Sequence, residues 1–92
     1  MQERIQALEA TRERARAALH ASHLGLVPAS SLHAAIGDFA RALRTGGAPP
    51  ARALVAVKDL VRETRPRGSS LSDARELMER TVRCAINAYY DA

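Results

Sequence analysis

Residues 31–44 read SLHAAIGDFARALR and carry the clearest structural signal in the chain. The large apolar residues of this stretch recur at intervals of four, three and four: Leu32, Ile36, Phe39 and Leu43. This spacing places all four side chains on one face of an α-helix, whereas a half-buried β-strand would show apolar residues at every second position. The stretch therefore predicts an amphipathic helix that packs against other elements through this face.

Glycine and proline divide the rest of the chain into similar segments. Breaks fall at residues 25–28, 46–50 and 66–70, and the segments between them show helical periodicity without strand alternation. We predict helices over residues about 2–23, 31–44, 50–65 and 72–90, with Ser30 or Ser31 capping the second and Ser70 or Ser72 capping the fourth. The expected fold is a single all-α domain over residues 1–92, a compact antiparallel four-helix bundle.

Composition predicts a thin hydrophobic core for this bundle. The chain has 92 residues, of which 47% are hydrophobic and 26% charged, as in one soluble globular domain. Leu, Ile, Val and Phe together make up only about a fifth of the residues, and alanine supplies much of the remaining apolar fraction. Because alanine buries little area, we expect dimerisation or another protein to complete the core.

The fourth helix has more apolar surface than one buried side requires. Its principal apolar stripe is expected to face the core and consists of Leu71, Ala74, Met78, Val82, Ala85 and Tyr89. Beside this stripe lie Leu77, Thr81, Cys84 and Ala88, which widen the apolar arc to roughly 200°. One interpretation is that this second side contacts another subunit, and the alternative is an Ala/Cys flank beside an ordinary core.

Two further residues are candidates for the same contact. Arg12 lies within the apolar face of the first helix, where it either reaches water from the edge or fixes the choice of partner. Tyr90 follows the core position Tyr89 and points elsewhere, so it is either exposed or part of an interface. We predict that Arg12 and Tyr90 are specificity elements of the contact.

A basic ridge on the third helix supports an alternative function. The net charge is +4, and Lys58, Arg62 and Arg65 follow one another at i, i+4 and i+7, with Arg67 extending the row. Such a row can contact the phosphates of nucleic acid. Asp59 interleaves with the ridge, as on an ordinary solvated face, and the ridge has no aromatic residue to stack on a base. An accessory nucleic-acid-binding protein is therefore the alternative hypothesis.

About a quarter of the chain resembles a family of signalling proteins. The residues Leu24-Gly25, Leu32 and Arg44-Thr45-Gly46 are similar to the stretch that follows the active histidine of histidine phosphotransfer domains. In that family a lysine and a glycine follow the histidine, and neither follows His20 in register here. The resemblance implies a phosphorelay-type partner of signalling proteins, with His20 or His33 as the phosphate acceptor.

The residue pattern contains no recognisable catalytic or metal-binding motif. Cys84 falls mid-helix in an alanine-rich flank, where a thiol usually acts as a small apolar filler. His20 and His23 are three residues apart, but no carboxylate accompanies them and a tight zinc site needs three or four ligands. We predict no enzymatic activity, no metal and no cofactor.

The remaining features favour a cytoplasmic location. A single cysteine fits a reducing compartment, and the charged residues near the N-terminus differ from a signal peptide. Residues 17–37 lack charge, but His, Ser, Gly and Pro interrupt them, so we expect no membrane span. The leading hypothesis is a small non-enzymatic interaction module of the bacterial cytoplasm that self-associates through protein–protein contact.

Overall fold

A computed structural model describes the backbone of residues 2–91 and the side chains of residues 6–91. The chain forms four α-helices: α1 (Gln2–His23), α2 (Ala29–Thr45), α3 (Pro50–Thr64) and α4 (Leu71–Tyr90). Residues 2–91 contain no β-strand. The predicted all-α class and the four helices are confirmed, and each observed boundary lies within two residues of its predicted position.

The helix ends follow local chemistry that the sequence partly reveals. The Ser70 hydroxyl accepts a hydrogen bond from the Asp73 backbone N–H at 3.4 Å, which confirms Ser70 as the N-cap of α4. Gly25, with φ +70°, follows the end of α1 within the predicted break at residues 25–28, because glycine adopts this left-handed conformation without strain. The prediction that Ser30 or Ser31 caps α2 is wrong: the extended backbone of Pro28 precedes the helix, and no side chain caps it.

The four helices surround one core in the spatial order α1, α2, α4, α3. α2 and α3 each pack against both α1 and α4, whereas α1 and α4 barely touch. The stripe predicted for α2 lies in this core, where Leu32, Ile36 and Phe39 are at most 2% exposed. Leu43, at the end of the stripe, is half-buried and packs against the same cluster. α2 therefore supplies the largest apolar side chains of the core.

Two buried threonines satisfy their own hydroxyl groups within a helix. Thr11 donates to the Leu8 carbonyl oxygen at 2.9 Å, and Thr64 donates to that of Leu60 at 2.8 Å. A buried hydroxyl with a hydrogen-bond partner costs little, so threonine can occupy a core position. The apolar pattern of the sequence does not identify these two positions as buried.

The orientation of α4 corrects a prediction. Leu77, Thr81 and Ala88 are at most 8% exposed, and Cys84 is half-buried against the core, so this side of α4 is not free to meet another subunit. α2 covers this side, and a Cβ atom added to Gly37 would lie 3.6 Å from the Ala88 Cβ, at ordinary van der Waals distance. Small residues allow α2 to approach this side of α4 closely and to cover it.

His23 is a half-buried titratable group at the end of α1. Its Nε2 atom is buried without a hydrogen-bond partner among the described residues. Burial lowers the pKa of His23 from its ordinary value of 6.5, because the charged imidazolium loses hydration. The Val61 backbone acts in the opposite direction, and the charges of His20 and Arg65 lower the pKa further.

We expect this histidine to make the stability of the fold depend on pH. Well above pH 6.5 the imidazole is neutral in both the folded and the unfolded state. Below it the unfolded chain binds a proton that the folded chain resists, so stability should fall until the pH reaches the lowered pKa of the folded state. Thermal unfolding between pH 7 and 5 should show this decline. His23→Gln should flatten it, whereas His33→Gln, at an exposed position whose charge does not act on His23, should retain the wild-type slope.

Candidate interaction surface

The apolar arc of α4 extends beyond the part that the other helices cover. Ile86 is 37% exposed and Tyr90 65% exposed, whereas Met78 and Val82 are half-buried. Part of the stripe that the sequence assigns to the core, including the 71% exposed Leu71, therefore lies on the uncovered side. The arc is wide, as predicted, but its buried centre lies at Leu77, Thr81, Ala85 and Ala88, so the predicted core stripe is only partly covered.

A small apolar recess opens between α3 and α4 next to these exposed side chains. Its volume is about 150 Å³. The residues that line it are Ala40, Pro50, Ala53, Leu54, Val57, Ala85, Ile86, Tyr89 and Tyr90. We call the surface formed by Pro50, Leu54, Ile86 and Tyr90 around this recess the α3–α4 face. Since none of its four side chains is charged, this face offers apolar contact.

Two tyrosines with different roles border the recess. The Tyr89 hydroxyl donates to the Ala48 carbonyl oxygen at 2.7 Å, and Arg44 Nη1 donates to the Tyr89 carbonyl oxygen at 2.9 Å. These bonds hold Tyr89 against the connection between α2 and α3. The Tyr90 ring packs edge-on against the Tyr89 ring, with 5.2 Å between the ring centroids and 71° between the ring planes. The Tyr90 ring therefore packs against Tyr89 on one side, while most of it faces solvent.

Arg12 lies away from the α3–α4 face. Its guanidinium is 3.9 Å from the Glu63 carboxylate, and Arg16 binds the same carboxylate at 3.0 Å. The Arg12 side chain is 46% exposed, so it reaches solvent at the edge between α1 and α3. Glu63 and Pro50 are at opposite ends of α3, and the structure therefore does not bring Arg12 and Tyr90 together.

The basic ridge of α3 is partly engaged by neighbouring groups. Arg62 lies 3.5 Å from the Asp59 carboxylate, and Arg65 donates to the Ser69 hydroxyl at 3.0 Å. Lys58 is half-buried, whereas Arg67 is exposed. The four residues do not form one uniformly free row of cations.

Sequence reasoning did not select Pro50, Leu54 or Ile86 for this surface. Ile86 stands midway between Val82 and Tyr90 at intervals of four residues, a spacing that places all three near one face of a helix. This spacing could have identified Ile86 from the sequence as part of an apolar face. Pro50 and Leu54 lie on another helix, and only the packing of α3 against α4 brings them to the same recess.

The described residues contain no cluster of three His, Cys, Asp or Glu side chains that could hold a metal ion. None of the helices within that part of the chain has the length and apolar character needed to cross a membrane. Comparison of the chain with protein-family models, curated proteins and solved structures found no match.

Proposed function

We propose that this protein is a small non-enzymatic interaction module that self-associates through the α3–α4 face. The observation that carries the proposal is the uncovered apolar side of α4, where Ile86 and Tyr90 are exposed beside an apolar recess. Contact with a second copy would remove this apolar surface from water, which is favourable in proportion to the area buried. The face replaces the opposite side of α4 as the proposed interface.

The shape of the α3–α4 face favours a second copy of the chain as its partner. A two-fold dimer uses the same patch on both subunits, so that patch must be self-complementary. The exposed ring of Tyr90 and the recess lie on the same face, and apolar cavities of about 150 Å³ can accept a six-membered ring. In the proposed dimer, Tyr90 of each copy enters the recess of the other.

We also propose that the helices of the bundle are antiparallel and that the protein is cytoplasmic. Connections of five, four and six residues are short enough for each helix to run antiparallel to the one before it. The single cysteine favours a reducing compartment, which we take to be the bacterial cytoplasm.

Tyrosine fluorescence can test the proposed face directly. The chain has two tyrosines and no tryptophan, and both tyrosines border the recess. We expect acrylamide to quench this fluorescence less efficiently as the protein concentration rises, because the dimer covers Tyr90. Quenching should remain constant in Tyr90→Phe, whose only tyrosine, Tyr89, is already held within the fold. Wild-type quenching that does not change while the protein dimerises would place the interface elsewhere.

A further inference from the structure

A second cleft, between α2 and α4, has a different chemical character from the α3–α4 face. Its volume is about 580 Å³, within the range of small-molecule sites. It is lined by His33, Ala34, Gly37, Arg41, Arg80, Arg83, Cys84, Asn87, Ala88 and Asp91. We call this the α2–α4 cleft. Three guanidinium groups face one carboxylate along its lining, so the cleft has an excess of positive charge.

Arg80 and Arg83 line the cleft even though each has a potential partner on its own helix. Glu76 precedes Arg80 by four residues and Glu79 precedes Arg83 by four, the spacing at which glutamate and arginine commonly pair on a helix. Neither pair forms an ion pair in the described part of the chain. Both guanidinium groups therefore keep donors for a ligand in the cleft.

Arg41 is held close to the α2 backbone by its surroundings. Its Nη2 atom donates to Asp38 Oδ1 at 2.8 Å. A Cβ atom on Gly37 would lie only 3.2 Å from the same nitrogen, so glycine leaves the room that the guanidinium occupies. Asp38 orients the planar group through one nitrogen, and the other N–H donors remain for an anion.

From these features we propose that the α2–α4 cleft binds a small phosphate monoester. A phosphate monoester carries about −1.5 to −2 charge at pH 7, and its oxygens match the donor geometry of arginine. Because Arg41 is paired with Asp38, the positive charge that matches the phosphate comes mainly from Arg80 and Arg83, which form no ion pair among the described residues. No Phe, Tyr or Trp lines the cleft, so it lacks a large aromatic platform for a nucleotide base. The expected ligand is therefore a phosphate monoester of a small polar or aliphatic alcohol.

Cys84 provides a probe inside the cleft. It is the only cysteine in the chain, and its thiol donates to the His33 carbonyl oxygen at 3.4 Å. The test compares the alkylation rate of Cys84 by anionic iodoacetate with that by neutral iodoacetamide. Both reagents require the same thiolate, so the ratio of the two rates cancels the thiolate fraction and reports the attraction of the cleft for an anion.

We expect the ratio in the folded protein at low salt to be several-fold higher than in the urea-unfolded chain. Glycerol phosphate should lower the ratio to the unfolded value, and chloride at the same ionic strength should lower it less. Arg41→Gln and Arg80→Gln should each reduce the ratio, whereas Arg67→Gln, at an exposed site outside the cleft, should not. Equal ratios in the folded and unfolded chains, or equal competition by glycerol phosphate and chloride, would overturn the proposal.

Discussion

Replacing Ile86 with glutamate is expected to abolish self-association while leaving the monomer folded. Ile86 is 37% exposed at the recess of the α3–α4 face, so a glutamate there can remain hydrated in the monomer. In a two-fold dimer the substitution places an unpaired carboxylate in the contact from each subunit. We expect the dissociation constant to rise at least about 100-fold, which corresponds to about 2.8 kcal/mol.

Leu26→Glu is the matched control for this substitution. Leu26 is 72% exposed, is apolar, and lies in the turn between α1 and α2, outside the α3–α4 face. The Leu26→Glu substitution introduces the same charge and should leave the dissociation constant of the dimer unchanged. Circular dichroism of both variants should retain the wild-type helical signal. A folded Ile86→Glu variant that associates like the wild type would exclude the α3–α4 face as the interface.

Replacing Phe39 with alanine should have the largest effect on folding. Phe39 is 2% exposed and lies in the central cluster of the core. Removing a buried phenylalanine ring costs about 3–5 kcal/mol, because apolar contact is lost and a cavity remains. Domains of this size have a total free energy of unfolding of about 5–15 kcal/mol. The variant should therefore lose a large fraction of its stability or fail to fold at physiological temperature.

Urea unfolding followed by circular dichroism measures this loss at a fixed protein concentration. Val55→Ala is the control, because Val55 is 56% exposed and its truncation should change the free energy of unfolding by less than about 0.5 kcal/mol. A loss below about 1 kcal/mol for Phe39→Ala would contradict the position of its ring in the core.

The sequence predicted those parts of the fold that depend on local chemistry. In α2 the apolar stripe has a single strong side, and its first three large residues are buried as expected. Ser70 caps α4 because its hydroxyl meets a backbone N–H within the same turn. Pro66 restricts the residue before it, and α3 accordingly ends at Thr64, one residue before Arg65.

The orientation of α4 could not be predicted in the same way. Both sides of its wide arc are apolar, so periodicity alone does not determine which side is buried. In the structure α2 covers the side of α4 that holds Ala88, which lies near Gly37, and both of these residues contribute little to a hydrophobic pattern. Leu77 became part of the core, and Ile86 stayed partly exposed. The α3–α4 face therefore depends on how α4 packs against the other helices.

Sedimentation equilibrium of the wild-type protein, from low to high micromolar concentration, tests the central claim most directly. We predict that the average mass rises from the monomer value of 10.0 kDa toward twice that value, because each copy covers the α3–α4 face of the other. A mass that stays at 10.0 kDa throughout this range would contradict self-association.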